Sequence, residues 1–168
     1  DGDLVKPYSS YGEDVWLFKL YEGVNNGPMV NASSMSAATS EDVTVEIDPL
    51  QIAQDPDGDA LYVRISNAPS HGSVVITTDQ KILYTPALDY YGSDSLRFVI
   101  EDSKGGETQE VTLNLTIEPV NDIPIANEDQ FTFTPGLRTV LNVMENDSDP
   151  DSDDQLQIIS FTQPALGT

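Results

Sequence analysis

The sequence contains no cysteine. Disulfides and thiolate chemistry are therefore excluded, and an extracellular chain without them can use a bound metal as its staple instead. Positive charge is also scarce: 7 lysines and arginines face 29 aspartates and glutamates, for a formal net charge of −22. Such a chain repels polyphosphates and anionic headgroups, so nucleic acid and membrane surfaces are not expected partners. The same charge destabilises a compact fold by self-repulsion unless cations relieve it. Histidine occurs once, as His71, in a Pro-Ser-His-Gly turn. One histidine with no recognisable serine or cysteine beside it supplies neither a nucleophile–base pair nor a zinc site. Carboxylates are plentiful, but they cluster in polar loops and not in an apolar cleft that would raise a pKa, so no enzyme is expected. No apolar run approaches the roughly 18 residues of a membrane-spanning helix. The first residues lack the charged start and apolar core of a signal peptide, and any secretion signal is expected outside this segment.

What the chain does contain is hydrophobic content of 38% and aromatic content of 8%, enough for a packed core. Its most informative stretch is Asp55-Pro56-Asp57-Gly58-Asp59. Three carboxylates at alternate positions, bent by a proline and a glycine, form a loop feeding the alternating run Leu61 to Ile65. Like charges so close repel unless a cation joins them, and Ca²⁺ suits a mobile acidic loop because it takes six to eight hard oxygen ligands in flexible geometry. The alternative is a solvated acidic turn. A second acidic loop, running from Asp147 through Asp149 and Asp151 to Asp154, precedes Leu156-Gln157-Ile158.

The two loops belong to a longer repeat. Pro28 recurs as Pro124, Asp55 as Asp149 and Gly72 as Gly167, at offsets of 96, 94 and 95 residues. That period is the size of a small β-sandwich domain. Counted in such units, residues 1–24 are the tail of one module, 25–120 a complete module, and 121–168 the first half of the next. An unfinished sandwich exposes apolar faces and strand edges, so self-association through the C-terminal half is one expectation.

Within the complete module the hydrophobic pattern has period two. Val43, Val45 and Ile47 alternate with polar residues, as do Leu61, Val63 and Ile65. Val74 to Thr77 and Ile82 to Thr85 predict a hairpin around Asp79-Gln80. Leu96, Phe98 and Ile100, then Val111, Leu113, Leu115 and Ile117, predict two further strands with one buried face each. The pattern restarts at Phe131 and Phe133, Val140 to Val143, and Leu156 and Ile158, predicting the opening strands of a second sandwich. No sustained helical period occurs, so the chain is expected to be all-β, a Greek-key β-sandwich in tandem. Tyr8, Tyr11, Trp16 and Tyr21 near the N-terminus pack in strands and turns or form a platform for sugars.

Glu41-Asp42, the Asp55–Asp59 loop, Pro69-Ser70-His71-Gly72, Tyr91-Gly92-Ser93-Asp94, Glu101-Asp102 and Val120-Asn121-Asp122-Ile123-Pro124 together resemble the bacterial cadherin-like tandem repeat. That family of Ig-like sandwiches occurs in large surface adhesins and some secreted carbohydrate-active proteins. The resemblance covers residues 25–168 and implies Ca²⁺ at module junctions. One junction would draw on Asn25, Asn26, Asp55, Asp57 and Asp59. The next would draw on Glu41, Asp102, Asn121 and Asp122, with Asp149 and Asp151 of the following module; Asp147 opens the same loop. The sequence departs from the cadherin pattern in two respects: Asn25-Asn26 lacks the carboxylate of Asn121-Asp122, and the acidic Asp-Arg-Glu motif has no copy. The implied function is a calcium-stiffened spacer or adhesion segment of a large extracellular bacterial protein. Its partners would be neighbouring modules of the same chain, and a polysaccharide or cell-surface ligand is the alternative.

Overall fold

A computed structural model of the chain describes residues 24–132, 134, 136–151 and 154–162. Residues 1–23 of the expected tail, with Tyr8, Tyr11, Trp16 and Tyr21, lie outside the described residues, as do Phe133 and Gly167. The described chain is all-β. No helix among these residues is long and apolar enough to cross a membrane; the one helical segment is a single 3₁₀ turn, Pro49–Ile52, capped by the Asp48 carboxylate on the Leu50 N–H at 3.0 Å.

Nine strands run in order: β1 Met29–Val30, β2 Ser34–Ser40, β3 Val45–Ile47, β4 Ala53–Gln54, β5 Leu61–Asn67, β6 Gly72–Ile76, β7 Ile82–Pro86, β8 Gly92–Asp102 and β9 Val111–Glu118. One sheet has the order β2-β9-β8-β5, the other β3-β7-β6, and β1 pairs with β4 at one end. All pairings are antiparallel except β2 with β9, which run parallel from Ser34 opposite Thr112 to Ser40 opposite Glu118.

The sandwich follows from the alternation. Val111, Leu113, Leu115 and Ile117 point inward from β9, and in register with them Leu96 faces Leu113 and Phe98 faces Val111 across the β8 ladder. Ile82 and Tyr84 of β7, Ile47 of β3 and Val63 of β5 close the same core. Burying each such side chain contributes about 1.5–3 kcal/mol, which makes this cluster the main source of stability. The hairpin expected around Asp79-Gln80 is present: β6 and β7 pair from Gly72 opposite Pro86 to Ile76 opposite Ile82. β2, of sequence Ser-Met-Ser-Ala-Ala-Thr-Ser, was not legible as a strand, because small residues carry little apolar alternation.

The strands expected after residue 130 are absent among the described residues. Val140 is 97% exposed and Ile159 94% exposed, and the only ladder contact there is an isolated bridge between Ile125 and Ser148. A strand requires a partner. In the complete module β2, β3 and β5 pair with β9, β7 and β8, and the described residues after 120 contain no counterpart of those three. The bridge is nonetheless informative: Ile125 and Ser148 sit where Met29 and Gln54 pair in β1 and β4.

A buried carboxylate locks the turn before β6. Asp94 accepts the N–H groups of Ser70 at 3.0 Å, His71 at 2.8 Å and Ser95 at 2.7 Å, and the Tyr84 hydroxyl at 3.0 Å. Burial opposes its charge, but these four donors outweigh it and hold Asp94 below the ordinary carboxylate range. Burial, with Asp94 as neighbour, pushes the Tyr84 hydroxyl up. Gly72 is required beside this network, because a Cβ there would sit 2.6 Å from both the Tyr84 ring and the Thr85 carbonyl oxygen. His71 itself stacks on Tyr90 with ring centroids 4.2 Å apart, a structural role.

The depressed Asp94 pKa means its contribution is complete above the unfolded-state value near 4 and is lost as pH falls through the folded value. Asp94→Asn is expected to lower stability at pH 7 by roughly 2 kcal/mol, because it leaves backbone donors without a charged acceptor. Urea unfolding across pH 3–7 checks this: the difference between the two proteins should narrow at the acid end.

Candidate metal centre

Two groups of carboxylates gather where the linkers meet the sandwich. The first is built by the β4–β5 loop. Asp55 Oδ1 accepts the N–H of Asp57 at 2.8 Å and of Asp59 at 3.1 Å, while Gly58 takes a left-handed φ of 76° that turns the chain back. This folding brings one carboxylate oxygen from each of Asp55, Asp57 and Asp59 within 4.8 Å of one another. The linker then closes on the loop. Asn26 gives its backbone N–H to Asp57 at 2.7 Å and its side-chain amide to the same carboxylate at 3.1 and 3.2 Å. These bonds, the backbone one first, hold Asp57 below its ordinary pKa.

The structure places Asp102 in this first group, beside Asn25, and not with Asn121 and Asp122. Asn25 Nδ2 donates to Asp102 Oδ2 at 2.9 Å, and Asp102 Oδ1 accepts the N–H of Lys104 at 2.7 Å and of Gly106 at 2.8 Å. The Asn25 amide is the main reason its pKa lies below the usual value. The β8–β9 turn approaches the linker so closely that a Cβ on Gly106 would fall 2.4 Å from Asp102 and 2.6 Å from the Gly27 Cα. Glu101-Asp102 ends β8, and the antiparallel sandwich delivers that end to the β4–β5 loop (Leu61 pairs with Asp102), a relation no short motif encodes.

Three buried oxygens in this group have no hydrogen-bond partner: Asn25 Oδ1, Asp55 Oδ2 and Asp59 Oδ2. All are acceptors only, and buried acceptors ordinarily find a donor or a cation. Acceptor oxygens of this kind, from a linker amide and two carboxylates of one acidic loop, are the ligand type that Ca²⁺ takes. The donor set fits the ion.

The second group spans two modules. Glu41, 3% exposed at the end of β2, accepts the Val120 N–H. Asp122 donates its N–H to Asp151 at 2.6 Å, and Asp151 donates to Asp149 at 3.1 Å. Both contacts repeat the first group's, in which Asn26 bonds to Asp57 and Asp57 to Asp55. Carboxylate oxygens of Glu41, Asp122 and Asp151 lie within 4.8 Å of one another; so do those of Asp42, Asp89 and Asp122, and those of Asp149, Asp151 and Asp154. Asn121 turns its amide to the neighbouring Asp122 carbonyl at 2.6 Å. Asp147 instead accepts the Asn127 N–H at 2.8 Å, a brace within its own module.

Sequence reasoning missed Asp42, Asp89 and Asp154. Asp42 and Asp89 both adopt left-handed backbone, with φ of 59° and 54°, and the Asp89 N–H reaches Asp42 at 3.2 Å. Non-glycine residues held there mark a site the surrounding fold enforces, but nothing in the sequence separates these two acids from others in turns. No lysine or arginine pairs with this group among the described residues. Desolvation, then the charges of Asp89, Asp151, Glu41 and Asp42, push the Asp122 carboxyl above its ordinary range.

A carboxyl whose folded pKa is raised favours folding below that pKa and loses the contribution as pH rises through it. In chelator at pH 7, Asp122→Asn is therefore expected to raise the melting temperature, with the gain shrinking towards pH 4. With millimolar CaCl₂ the same substitution should lower it. Differential scanning calorimetry in chelator at pH 7 and pH 4, and in CaCl₂ at pH 7, checks both signs.

The family comparison agrees with this architecture. Residues 25–116 and 121–168 each match the family model described as bacterial Ig domain. A 125-residue stretch is 28% identical to integrin beta-like protein A of Dictyostelium discoideum, covering 66% of this chain and only 6% of that protein's length. Among solved structures, an endo-fucoidan hydrolase from glycoside hydrolase family 107 is similar over 58% of this chain and 14% of its own, with 17% identity and a TM-score of 0.45. Extracellular cadherin domains 1–5 of protocadherin gamma B2 are similar over 62% of this chain and 22% of theirs, with 16% identity and a TM-score of 0.33. With the family model spanning most of its length, the chain belongs to the bacterial Ig domain family.

Proposed function

We propose that this chain is a non-enzymatic spacer or adhesion segment of a large extracellular protein, in which Ca²⁺ bound at the module junctions sets the relative orientation of successive sandwiches. The observation that carries this reading is the group formed by Glu41, Asp122 and Asp151. It takes one carboxylate from the end of a sandwich, one from the linker and one from the loop of the following module. A cation held by all three couples the modules through a single charge-neutralising contact.

When bound, Ca²⁺ would supply only that positive charge and its flexible coordination. The chain's own residues do the positioning. Glu41 fixes the exit of β9 by accepting the Val120 N–H, and Asp151 fixes the linker by accepting the Asp122 N–H. Both therefore present carboxylates already aimed at the junction. Mg²⁺ suits such a site less well, because it demands near-ideal octahedral geometry and gives up its waters reluctantly. Extracellular modules bind Ca²⁺ at about 10⁻⁴ to 10⁻³ M, so a rod of this kind would stiffen outside a cell and stay loose inside.

Amide hydrogen exchange at the linker tests the reading. CaCl₂ is expected to slow exchange of the Val120 and Asp122 amides about tenfold or more, since junction opening would then require ion release. Asp151→Asn should abolish that protection while leaving Leu113 and Leu115 in the core unchanged. Linker exchange equally fast with Ca²⁺ and with chelator would contradict the proposal.

A further inference from the structure

The two junction groups share a plan but differ in charge. At the first, the Lys104 ammonium lies 3.4 Å from Asp59 Oδ1, while Asp59 Oδ2 is one of the three buried oxygens without a partner. Lys104 is held there by its own backbone, whose N–H donates to Asp102 at 2.7 Å. Of the ion pairs among the described residues, this is the only one that reaches a carboxylate of either junction group. The linker differs in the same sense: Asn26 is neutral where its counterpart Asp122 is charged.

We infer that Lys104 is a built-in competing cation, which raises the Ca²⁺ concentration needed to fill the Asn25–Asp55–Asp57–Asp59 site relative to the Glu41–Asp122–Asp151 site. This rests on the proposed calcium function and concerns how its two sites are graded. An ion ligated by Asp59 Oδ2 would sit one carboxylate away from the ammonium on Oδ1, a separation at which charges repel even through water. The ammonium is also a partial substitute. It offsets the charge of Asp59, while the Asn26–Asp57 and Asn25–Asp102 bonds dock the first linker. Among the described residues the second group has no such ammonium, so its carboxylates have no protein cation to offset their repulsion. The Lys104 side chain is 61% exposed and its stem packs no core, so it can be replaced without disturbing the sandwich.

Calorimetric titration of the whole chain with CaCl₂ tests this. Two binding classes are expected, one removed by Asp55→Asn and the other by Asp122→Asn. Lys104→Met should tighten only the class that Asp55→Asn removes, by roughly tenfold at low ionic strength and less in high salt. Lys104→Glu should tighten it further. Circular dichroism should show both variants folded as the parent. Affinities unchanged by Lys104→Met, or changed in the class that Asp122→Asn removes, would overturn the inference while leaving the calcium reading intact. Absence of binding in the parent and in both Lys104 variants would overturn the two together.

Discussion

A linker amide that donates to a loop carboxylate is the contact on which the arrangement at each junction depends. Asn26 N–H to Asp57 and Asp122 N–H to Asp151 are the same bond made twice, at 2.7 and 2.6 Å. Each fixes where the chain enters a sandwich, and each holds a carboxylate at the point where other carboxylates converge. The loop is pre-folded to receive it: Asp55 and Asp149 play the same part, each accepting the N–H of the residue two positions on. The consequence is electrostatic. Once the linker is docked, the charges of Glu41, Asp42, Asp89, Asp122 and Asp151 are crowded together, and a bound cation or a proton on Asp122 relieves the repulsion.

The sandwich makes this crowding tolerable. Its core of Leu96, Phe98, Ile100, Val111, Leu113, Leu115 and Ile117 needs no help from the loops, and the Asp94 network secures the turn before β6 independently of any metal. Stability is therefore concentrated in the middle of the module and repulsion at its ends. Under the proposed calcium function, that separation would let the ends respond to a cation while the middle stays folded. A net charge of −22 also sets separate copies repelling one another.

Much of the fold was legible because its strands obey period two. β9 alternates without interruption from Val111 to Glu118, and β5 does so over Leu61 to Ile65. β2 was not, since Ala37 and Ser36 differ too little in polarity to mark a face, and its partner β9 lies about eighty residues away. The acidic loops and the linker were legible from their recurrence. The sequence grouped Asp102 with Asn121 and Asp122, and its bond to Asn25 was not legible because it spans 77 residues and is made by sheet topology. Asp42 and Asp89 were missed because their distinction is a backbone conformation. The opening strands expected after residue 130 show the converse: the apolar pattern of Val140 to Val143 is present, but pattern alone does not make a strand without a ladder to join.

The most direct test of a calcium-stiffened array is thermal unfolding of the chain in millimolar CaCl₂, in matched MgCl₂ and in excess chelator. An ion that binds the folded state alone stabilises it by mass action, by about 2.7 kcal/mol at a hundredfold excess over its dissociation constant. A clear rise in melting temperature is expected with Ca²⁺ and little with Mg²⁺. Equal melting in all three solutions would mean the carboxylates at the junctions are solvated turns, and the calcium-stiffened array would be wrong.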